Sequence, residues 1–274
     1  MKIKFIFLFL LAVTLLSCGN LLELGLKAKD HMYDADSGLI FYYPFNGNVH
    51  DSSGNGHDGT IYGSCYFNAD DRFGKTGSVF YGIISESSYM DTGWGNGFNP
   101  TRAFSANFWV WYTDSINDGG QKYFFGTGAD SYPPAGFRFY VSKDDDTNQI
   151  KFVINNDGLT SSEDSLTFNS LWISFRNNNW HMLTAVHEKG TGADKMHIYV
   201  DGIERTPDST YSYFQSGTLS KNIYILAASN LNASPPAIGA IPSYGMLDDF
   251  RFYSRALSRT EINALYHEGD FNLK

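Results

Sequence analysis

The feature that most constrains this chain is a turn-rich block at residues 45–59, directly after an apolar run from Leu39 to Phe45. Its fifteen residues include four glycines, three asparagines and two aspartates. Gly and Asn tolerate positive φ angles, and Asp and Asn side chains bond to their own backbone, so the block predicts tight turns and excludes a helix. The same residues supply many oxygen atoms. An ion site, a ligand loop and a simple corner of a sheet are therefore all open interpretations.

The first seventeen residues have the pattern of an export signal. Two lysines precede an apolar run from Phe5 to Leu16, which is short for a membrane span and typical of a signal-peptide core. The run ends at a small residue followed by Cys18, an arrangement that resembles a bacterial lipobox. We predict a lipoprotein signal peptide at 1–17, lipidation of Cys18 and a lipid-anchored tether at 18–37. The alternative is an ordinary secretory signal that happens to contain a cysteine.

The lipid would be the protein's only attachment to the membrane, since no other segment is apolar and long enough to cross it. Gly19 follows the cysteine where an aspartate would favour retention at the inner membrane. We therefore expect the cell envelope as the location, with the outer membrane or cell surface favoured.

Composition indicates a single large all-β domain. Aromatic residues make up 16% of the chain and charged residues only 18%, which favours strands with aromatic faces. With Cys18 lipidated, Cys65 is the remaining thiol, so the domain is expected to fold without an internal disulfide. The net charge of −9, with no basic cluster, argues against a nucleic-acid partner.

From Gly38 onward, apolar runs of five to ten residues alternate with clusters of Gly, Asn, Asp and Ser. The run 104–112 alternates so that two tryptophans lie on the face opposite its phenylalanines, which predicts a strand covered on both sides. The run 196–200 alternates and stops at Asp201-Gly202, a hairpin signal. Ser258 and Glu261 form a capping box before one short helix. This pattern predicts a β-sandwich or jelly roll closed by a C-terminal helix.

Several segments resemble, in order, the laminin-G-like members of the concanavalin A-like jelly-roll superfamily. The opening segment 39–56 is similar to the first strand and its turn, and 180–186 with 196–202 to a pair of central strands. The closing segment 245–258, reading GMLDDFRFYSRALS, is the most specific match. The resemblance implies a concanavalin A-like jelly-roll β-sandwich with a short C-terminal helix over residues 38–270. It identifies fold far better than function, because this superfamily holds lectin-like modules, adhesins and hydrolases.

Asp248 is the first candidate site residue. It shares its parity with Phe250 and Phe252 in the closing strand, and a carboxylate on a core-facing row needs donors, an Arg or a cation. The resemblance implies that the first and last strands are neighbours, which brings Asp248 near the opening block. We therefore predict a structural Ca²⁺ site, the alternative being a carboxylate held by backbone donors alone. Its ligands would be Asp248, Asp51, Asn46, Asn48 and Gly47.

The chain lacks the carboxylate pattern expected of a glycoside hydrolase in this superfamily. None of its seven glutamates has an acidic residue two positions away on an apolar strand. Adjacent acids such as Asp248 and Asp249 are expected to point to opposite faces. The run Asp144 to Asn148 fails as an EF-hand loop because its sixth position is Gln149. His181 and His187 are expected to be satisfied sheet residues, and the protein is predicted not to be an enzyme.

The predicted function is binding of a carbohydrate or glycoconjugate. Aromatic rings on loops stack on the apolar faces of sugars, and Trp94, flanked by glycines, is the main candidate. The further candidates are Tyr132, Tyr211 and Tyr213. An adhesin or structural module that binds protein partners is the alternative, and an atypical glycoside-active enzyme is the third.

Overall fold

The computed structural model describes residues 34–83, 88–100, 102–112, 122–127, 136–144, 147–155, 163–168, 178–191, 194–205, 209–211, 222–227, 229–230, 237–238 and 245–269. In chain order the strands are β1 (Leu39–Tyr43), β2 (Thr60–Tyr62), β3 (Cys65–Tyr66), β4 (Tyr81–Gly82), β5 (Tyr89–Asp91), β6 (Phe104–Tyr112), β7 (Lys122–Thr127), β8 (Gly136–Asp144), β9 (Thr147–Asn155), β10 (Glu163–Phe168), β11 (Trp180–Glu188), β12 (Asp194–Val200), β13 (Ile203–Glu204), β14 (Ser209–Tyr211), β15 (Ile223–Ile225), β16 (Ser229–Asn230), β17 (Ala237–Ile238) and β18 (Gly245–Tyr253). A helix, α1, spans Arg259–Tyr266.

Two seven-stranded sheets form the body of the protein. The first has the order β1-β18-β6-β11-β12-β13, with β14 also paired to β12, and the second has the order β10-β9-β8-β7-β15-β5-β2. β1 and β18 are antiparallel neighbours, as the resemblance implied. This architecture confirms the all-β jelly-roll sandwich with a short C-terminal helix.

Aromatic side chains from both sheets fill the space between them. Phe104 of the first sheet lies 4.7 Å from Phe137 of the second, measured between ring centroids. Phe250 of the closing strand lies 5.5 Å from Phe125 in the same way. Burial of rings of this size contributes most of the hydrophobic stabilisation. The high aromatic content of the sequence therefore reflects the many aromatic side chains in this core.

A second apolar cluster covers the outer face of the first sheet. The ring of Trp109 stacks at 5.7 Å on Tyr266 of α1, and Ile262 and Leu265 of the helix are buried beside it. The capping box of Ser258 and Glu261 is present. The prediction that the strand 104–112 is covered on both sides is thus confirmed for Trp109, and the cover is α1.

The hairpin predicted at Asp201-Gly202 is present. Val200 pairs with Ile203, and the two loop residues have φ angles of 54° and 73°. Positive φ at both central positions defines the hairpin turn that Asp-Gly favours. Asp144 pairs with Thr147 in the antiparallel pair of β8 and β9, and residues 145 and 146 lie outside the described residues.

Candidate functional site

The opening block covers the free edge of β1. The backbone N–H of Tyr42 donates to Asp51 Oδ1 at 3.0 Å, and its carbonyl accepts from the N–H of Ser52 at 2.8 Å. The side-chain amide of Asn55 donates to the carbonyls of Leu39 and Ile40. Edge strands expose such groups unless another segment pairs with them. The block is therefore a corner of the sheet, in which turn residues form hydrogen bonds with the edge backbone groups of the first strand.

Asp51 is the centre of that corner. Its carboxylate accepts from the backbone N–H groups of Tyr42, Ser53 and His57 at 2.9 to 3.0 Å. Burial raises the pKa of Asp51, but these backbone donors outweigh it and hold the pKa below its ordinary value. The charge of Asp51 is thus stabilised within the chain.

Asp248 does not face the core, which corrects the prediction from sequence. Asp248 pairs with Trp109 on the outer face of the first sheet, while Leu247 and Phe250 lie in the core cluster. The register shifts between Asp248 and Arg251, and Asp249 has a φ of 50°. Such a bulge adds one residue to the strand and reverses the parity after it. Counting alternate positions back from Phe250 therefore gives the wrong face for Asp248.

Arg72 is the partner of Asp248. Its Nη1 donates to Asp248 Oδ2 at 3.1 Å and also to a carboxylate oxygen of Asp249. The expectation that these adjacent carboxylates point to opposite faces is wrong, because the bulge turns both toward Arg72. The guanidinium also lies over two aromatic rings, at 4.3 Å from Phe73 and 4.6 Å from Trp109.

This charged cluster extends to the two ends of the domain. Asp249 accepts from the hydroxyl of Tyr42 in the first strand. Arg251, stacked at 4.0 Å on the Tyr42 ring, forms an ion pair at 2.9 Å with Glu268 beyond α1. Burial and the neighbouring carboxylate of Asp249 raise the pKa of Asp248 more than Arg72 lowers it. The cluster is thus a largely buried network that joins the first strand to Glu268, directly after α1.

The predicted calcium ligands do not fit a metal ion at this place. Asn46 Oδ1 accepts from the ammonium of Lys75 at 2.6 Å, and Asn48 Oδ1 accepts from the backbone N–H of His50 at 2.9 Å. Asp51 and Asp248 have separate sets of donors, and a guanidinium stands where a cation would neutralise Asp248. Within the described ranges, no group of three or more His, Cys, Asp or Glu side chains converges as a metal site does. No structural contact of Gly47 distinguishes it as a ligand.

Trp94 packs against other aromatic rings, although glycines flank it in the sequence. Its ring lies 5.1 Å from Phe98, 5.6 Å from Phe252 and 6.1 Å from Phe41, measured between centroids. It is half-buried and belongs to the margin of the main core. Its role as a ligand platform stays a prediction, and this packing gives the ring a structural role of its own.

Four other predicted residues give no site geometry. Cys18, Tyr132 and Tyr213 lie outside the described residues. The backbone of Tyr211 is described, and pairs with Asp194 at the end of β12.

Among described residues, no helix is long and apolar enough to span a membrane. Cys65 is a free cysteine and half-buried.

Two tyrosines that sequence reasoning missed, Tyr62 and Tyr66, have the most exposed aromatic rings among the described residues. Tyr62 is 45% exposed and stacks nearly parallel on Tyr89, with 4.7 Å between centroids and 6° between planes. Tyr89 in turn contacts Tyr224 edge-on at 5.6 Å. The exposed ring of Tyr62 is thus held by the buried ring of Tyr89 beside it.

The second exposed ring, Tyr66, is four residues further along the chain. It is 40% exposed and stacks at 5.6 Å on Tyr81, whose hydroxyl donates to Asn68 at 2.5 Å. Each pair bridges two short strands, since Tyr62 is opposite Tyr89 and Tyr66 is opposite Tyr81. We call the exposed rings of Tyr62 and Tyr66 the tyrosine surface. The strands that carry these tyrosines have only two or three residues, too few to show an alternating pattern in the sequence.

The histidines singled out in the sequence are satisfied, as predicted. His181 Nδ1 lies 2.8 Å from Asp201 Oδ2, and His187 Nδ1 lies 2.9 Å from the carbonyl oxygen of Arg102. Burial lowers the pKa of His187, which lies against the Phe104 ring. These contacts give both imidazoles a structural role in the sheet.

The fold and sequence together place the chain in a known superfamily. A family model, Laminin_G_3, described as the concanavalin A-like lectin/glucanases superfamily, matches residues 85–263. This range is more than half of the chain, so the protein belongs to that superfamily. The matched range begins after the opening block, whose likeness to the family therefore rests on the fold. Comparison with curated proteins finds no match.

Solved structures of similar fold include toxin binding domains. The receptor binding domain of the botulinum neurotoxin C/D mosaic serotype matches with a TM-score of 0.61 and 15% identity, covering 85% of this chain and 52% of that one. The botulinum neurotoxin serotype G binding domain matches with a TM-score of 0.58 and 17% identity, covering 83% and 50%. This chain spans about half the length of the structures it matches. At this identity the likeness shows the fold alone.

Proposed function

We propose that this protein is a lipid-anchored envelope protein that binds carbohydrate or glycoconjugates, without catalysis, through the tyrosine surface. The observation that carries the proposal is the pair of exposed rings at Tyr62 and Tyr66, each backed by a second stacked tyrosine. The lectin-like superfamily and the binding-domain neighbours support a binding function in general.

The physical reason lies in how sugars are recognised. An exposed tyrosine offers an apolar face for the C–H groups of a pyranose and a hydroxyl for its polar rim. Because Tyr89 and Tyr81 already restrict the two exposed rings, little side-chain entropy remains to be lost on binding. Tyr62 and Tyr66 are four positions apart in the chain, so their Cα atoms lie within about 14 Å of each other. Such a pair suits neighbouring units of one glycan chain.

Anchoring through Cys18 is the second part of the proposal. It rests on the signal-like segment at 1–17, which lies outside the described residues. Labelling of the protein with radioactive palmitate in its native host, and loss of the label in Cys18→Ser, would support it. Surface proteolysis of intact cells would separate cell-surface from periplasmic exposure.

The binding test uses purified protein and a panel of soluble polysaccharides in affinity electrophoresis. We expect retardation by at least one polysaccharide, and about tenfold weaker binding in Tyr62→Ala and in Tyr66→Ala, which corresponds to ~1.4 kcal/mol. Ile203→Ala is the matched control, because Ile203 is 55% exposed and lies on the other sheet.

The outcomes separate the three functions. Polysaccharide binding that both tyrosine variants retain in full would remove the tyrosine surface from the proposal. Binding to extracellular matrix proteins alone would favour the adhesin, and release of reducing sugar from any polysaccharide would favour an atypical enzyme. Trp94→Ala is a weaker test, because its ring also packs on the core.

A further inference from the structure

The sequence contains three Asn-Gly pairs, at Asn46-Gly47, Asn55-Gly56 and Asn96-Gly97. In such a pair the backbone nitrogen of the glycine can attack the side-chain amide of the asparagine, because glycine has no side chain to block the approach. Both residues of each pair are exposed, so access to solvent does not distinguish the three. Their hydrogen bonds differ, and these decide which pair is free to react.

The first two pairs are held by hydrogen bonds that oppose this reaction. Asn46 Oδ1 accepts from the ammonium of Lys75 at 2.6 Å, and the N–H of Gly47 donates to the carbonyl of Phe45 at 2.8 Å. The side-chain amide of Asn55 donates to two backbone carbonyls of β1, at 2.9 and 3.0 Å. In both pairs the attack would first have to break a bond that fixes either the glycine nitrogen or the asparagine amide.

The third pair, Asn96-Gly97, is the tip of a β-turn that runs from Gly95 to Phe98. The N–H of Phe98 donates to the carbonyl of Gly95 at 2.8 Å, and Gly97 has a φ of 84°. Among the residues that the structure describes, neither the Asn96 side chain nor the N–H of Gly97 has a hydrogen-bond partner. The amide and the nitrogen that would attack it are therefore both free.

We propose that Asn96 is a spontaneous modification site, at which the folded protein accumulates aspartate and isoaspartate as it ages. The Gly97 nitrogen bonds to Cγ of Asn96 and loses its proton, and the side-chain nitrogen leaves as ammonia, which gives a five-membered succinimide. Water then adds to one of the two succinimide carbonyls, and the bond from that carbon to nitrogen breaks. Opening at Cγ gives aspartate, and opening at the backbone carbonyl gives isoaspartate, in which the chain continues through Cγ. The reaction consumes one water and needs no oxidant or reductant.

The isoaspartyl product adds one backbone carbon to a turn that is fixed on one side. The carbonyl of Trp94 accepts from the N–H of Ile223 at 2.7 Å, and a Cβ on Gly95 would lie only 2.8 Å from that same nitrogen. The extra carbon must therefore displace the other side of the turn, at Phe98. The Phe98 ring packs at 5.1 Å on Trp94 and at 5.9 Å on Phe104, measured between centroids. Isoaspartate thus loosens this margin of the core, whereas aspartate keeps the length of the backbone and leaves the turn in place.

The test is peptide mapping by mass spectrometry after incubation of the full chain at mildly alkaline pH, both folded in buffer and unfolded in guanidinium chloride. In buffer we expect Asn96 to lose its amide at least about fivefold faster than Asn46 and Asn55, the factor by which one hydrogen bond of ordinary strength reduces the reactive fraction. In guanidinium chloride the three pairs should react at similar rates, because they share the same dipeptide. Labelling by protein isoaspartyl methyltransferase should fall to the background of the two protected pairs in Asn96→Gln.

Thermal melts test the effect on the turn. Each modified molecule gains a carboxylate, so anion exchange isolates an acidic fraction, which should melt below the unmodified protein. Treatment with the methyltransferase and its methyl donor, which returns isoaspartate to aspartate, should restore the midpoint, and Asn96→Asp is the matched control for charge and should melt as the wild type does. Equal or slower reaction at Asn96 than at the other two pairs in the folded protein would overturn the modification site. An acidic fraction that melts together with the unmodified protein would overturn the loosening of the turn. None of these outcomes depends on the proposed glycan binding.

Discussion

Arg72 Nη1 lies 3.1 Å from Asp248 Oδ2, although 176 residues separate the two along the chain. Both side chains are buried, and the second carboxylate on the same guanidinium belongs to Asp249. The contact joins the turn after β3 to the strand that closes the domain. Arg72 is therefore the cation that contacts both buried carboxyl groups.

Replacement of Arg72 by Met should strongly destabilise the protein. Met keeps much of the stem that packs between Phe73 and Trp109, but it leaves the two buried carboxyl groups without the cation that contacts them. Loss of one partner of a buried ion pair costs about 3–5 kcal/mol. Urea unfolding measures it, and Lys75→Met is the control, expected to change stability by no more than about 0.5 kcal/mol because Lys75 is exposed. An equal loss in the two variants would contradict the assignment.

Metal removal should leave the stability unchanged, because Arg72 already serves as the cation of this cluster. Thermal melts of the full chain in EDTA and in excess Ca²⁺ should have the same midpoint. A ligand bound only by the folded state raises the midpoint, so any bound ion would be visible. A midpoint that falls in EDTA and recovers with Ca²⁺ would restore the calcium hypothesis drawn from the sequence.

Long elements of this fold were readable from sequence because their signals are local. The alternation of 104–112, the turn at Asp201-Gly202 and the capping box at Ser258 each depend on neighbours within a few residues. The sequence also indicated that the opening block could be a sheet corner, since its turn residues form hydrogen bonds with the adjacent strand. Local chemistry therefore predicted the architecture well.

The candidate sites were less accessible because they depend on contacts between distant segments. A single positive φ at Asp249 reverses the face of Asp248, and no residue type marks that bulge in advance. The partner of Asp248 is Arg72, which lies in a turn far away along the chain. The tyrosine pairs sit on strands of two or three residues, which are too short to show a period. The glycines on either side of Trp94 indicated an exposed ring, but Phe252 of the core packs against it.

Cys65 should react slowly in the folded protein. Burial raises the pKa of its thiol to about 12, so very little thiolate is present at pH 8. In a Cys18→Ser background, where Cys65 is the only cysteine, reaction with a chromogenic disulfide reagent at pH 8 should be at least tenfold slower in buffer than in urea. Equal rates in the two solvents would mean that the thiol is freely accessible and ordinary in its acidity.

Stability should depend on pH through Asp248 and Asp51 with opposite signs. Folding raises the pKa of Asp248 from 3.8 to about 8, so between these values the folded protein binds more protons than the unfolded chain, and its free energy of unfolding falls as pH rises. Folding lowers the pKa of Asp51, so its contribution is present above the ordinary value and is lost as pH falls. Urea unfolding from pH 3 to pH 9 should therefore show a shallower decline of the free energy of unfolding between about pH 4 and 8 in Asp248→Asn.

Asp51→Asn should instead reduce only the loss of stability at acid pH, because it removes hydrogen bonds to the ionised form of Asp51. A profile for Asp248→Asn that runs parallel to the wild type across the neutral range would show that Asp248 is ionised throughout, held so by Arg72.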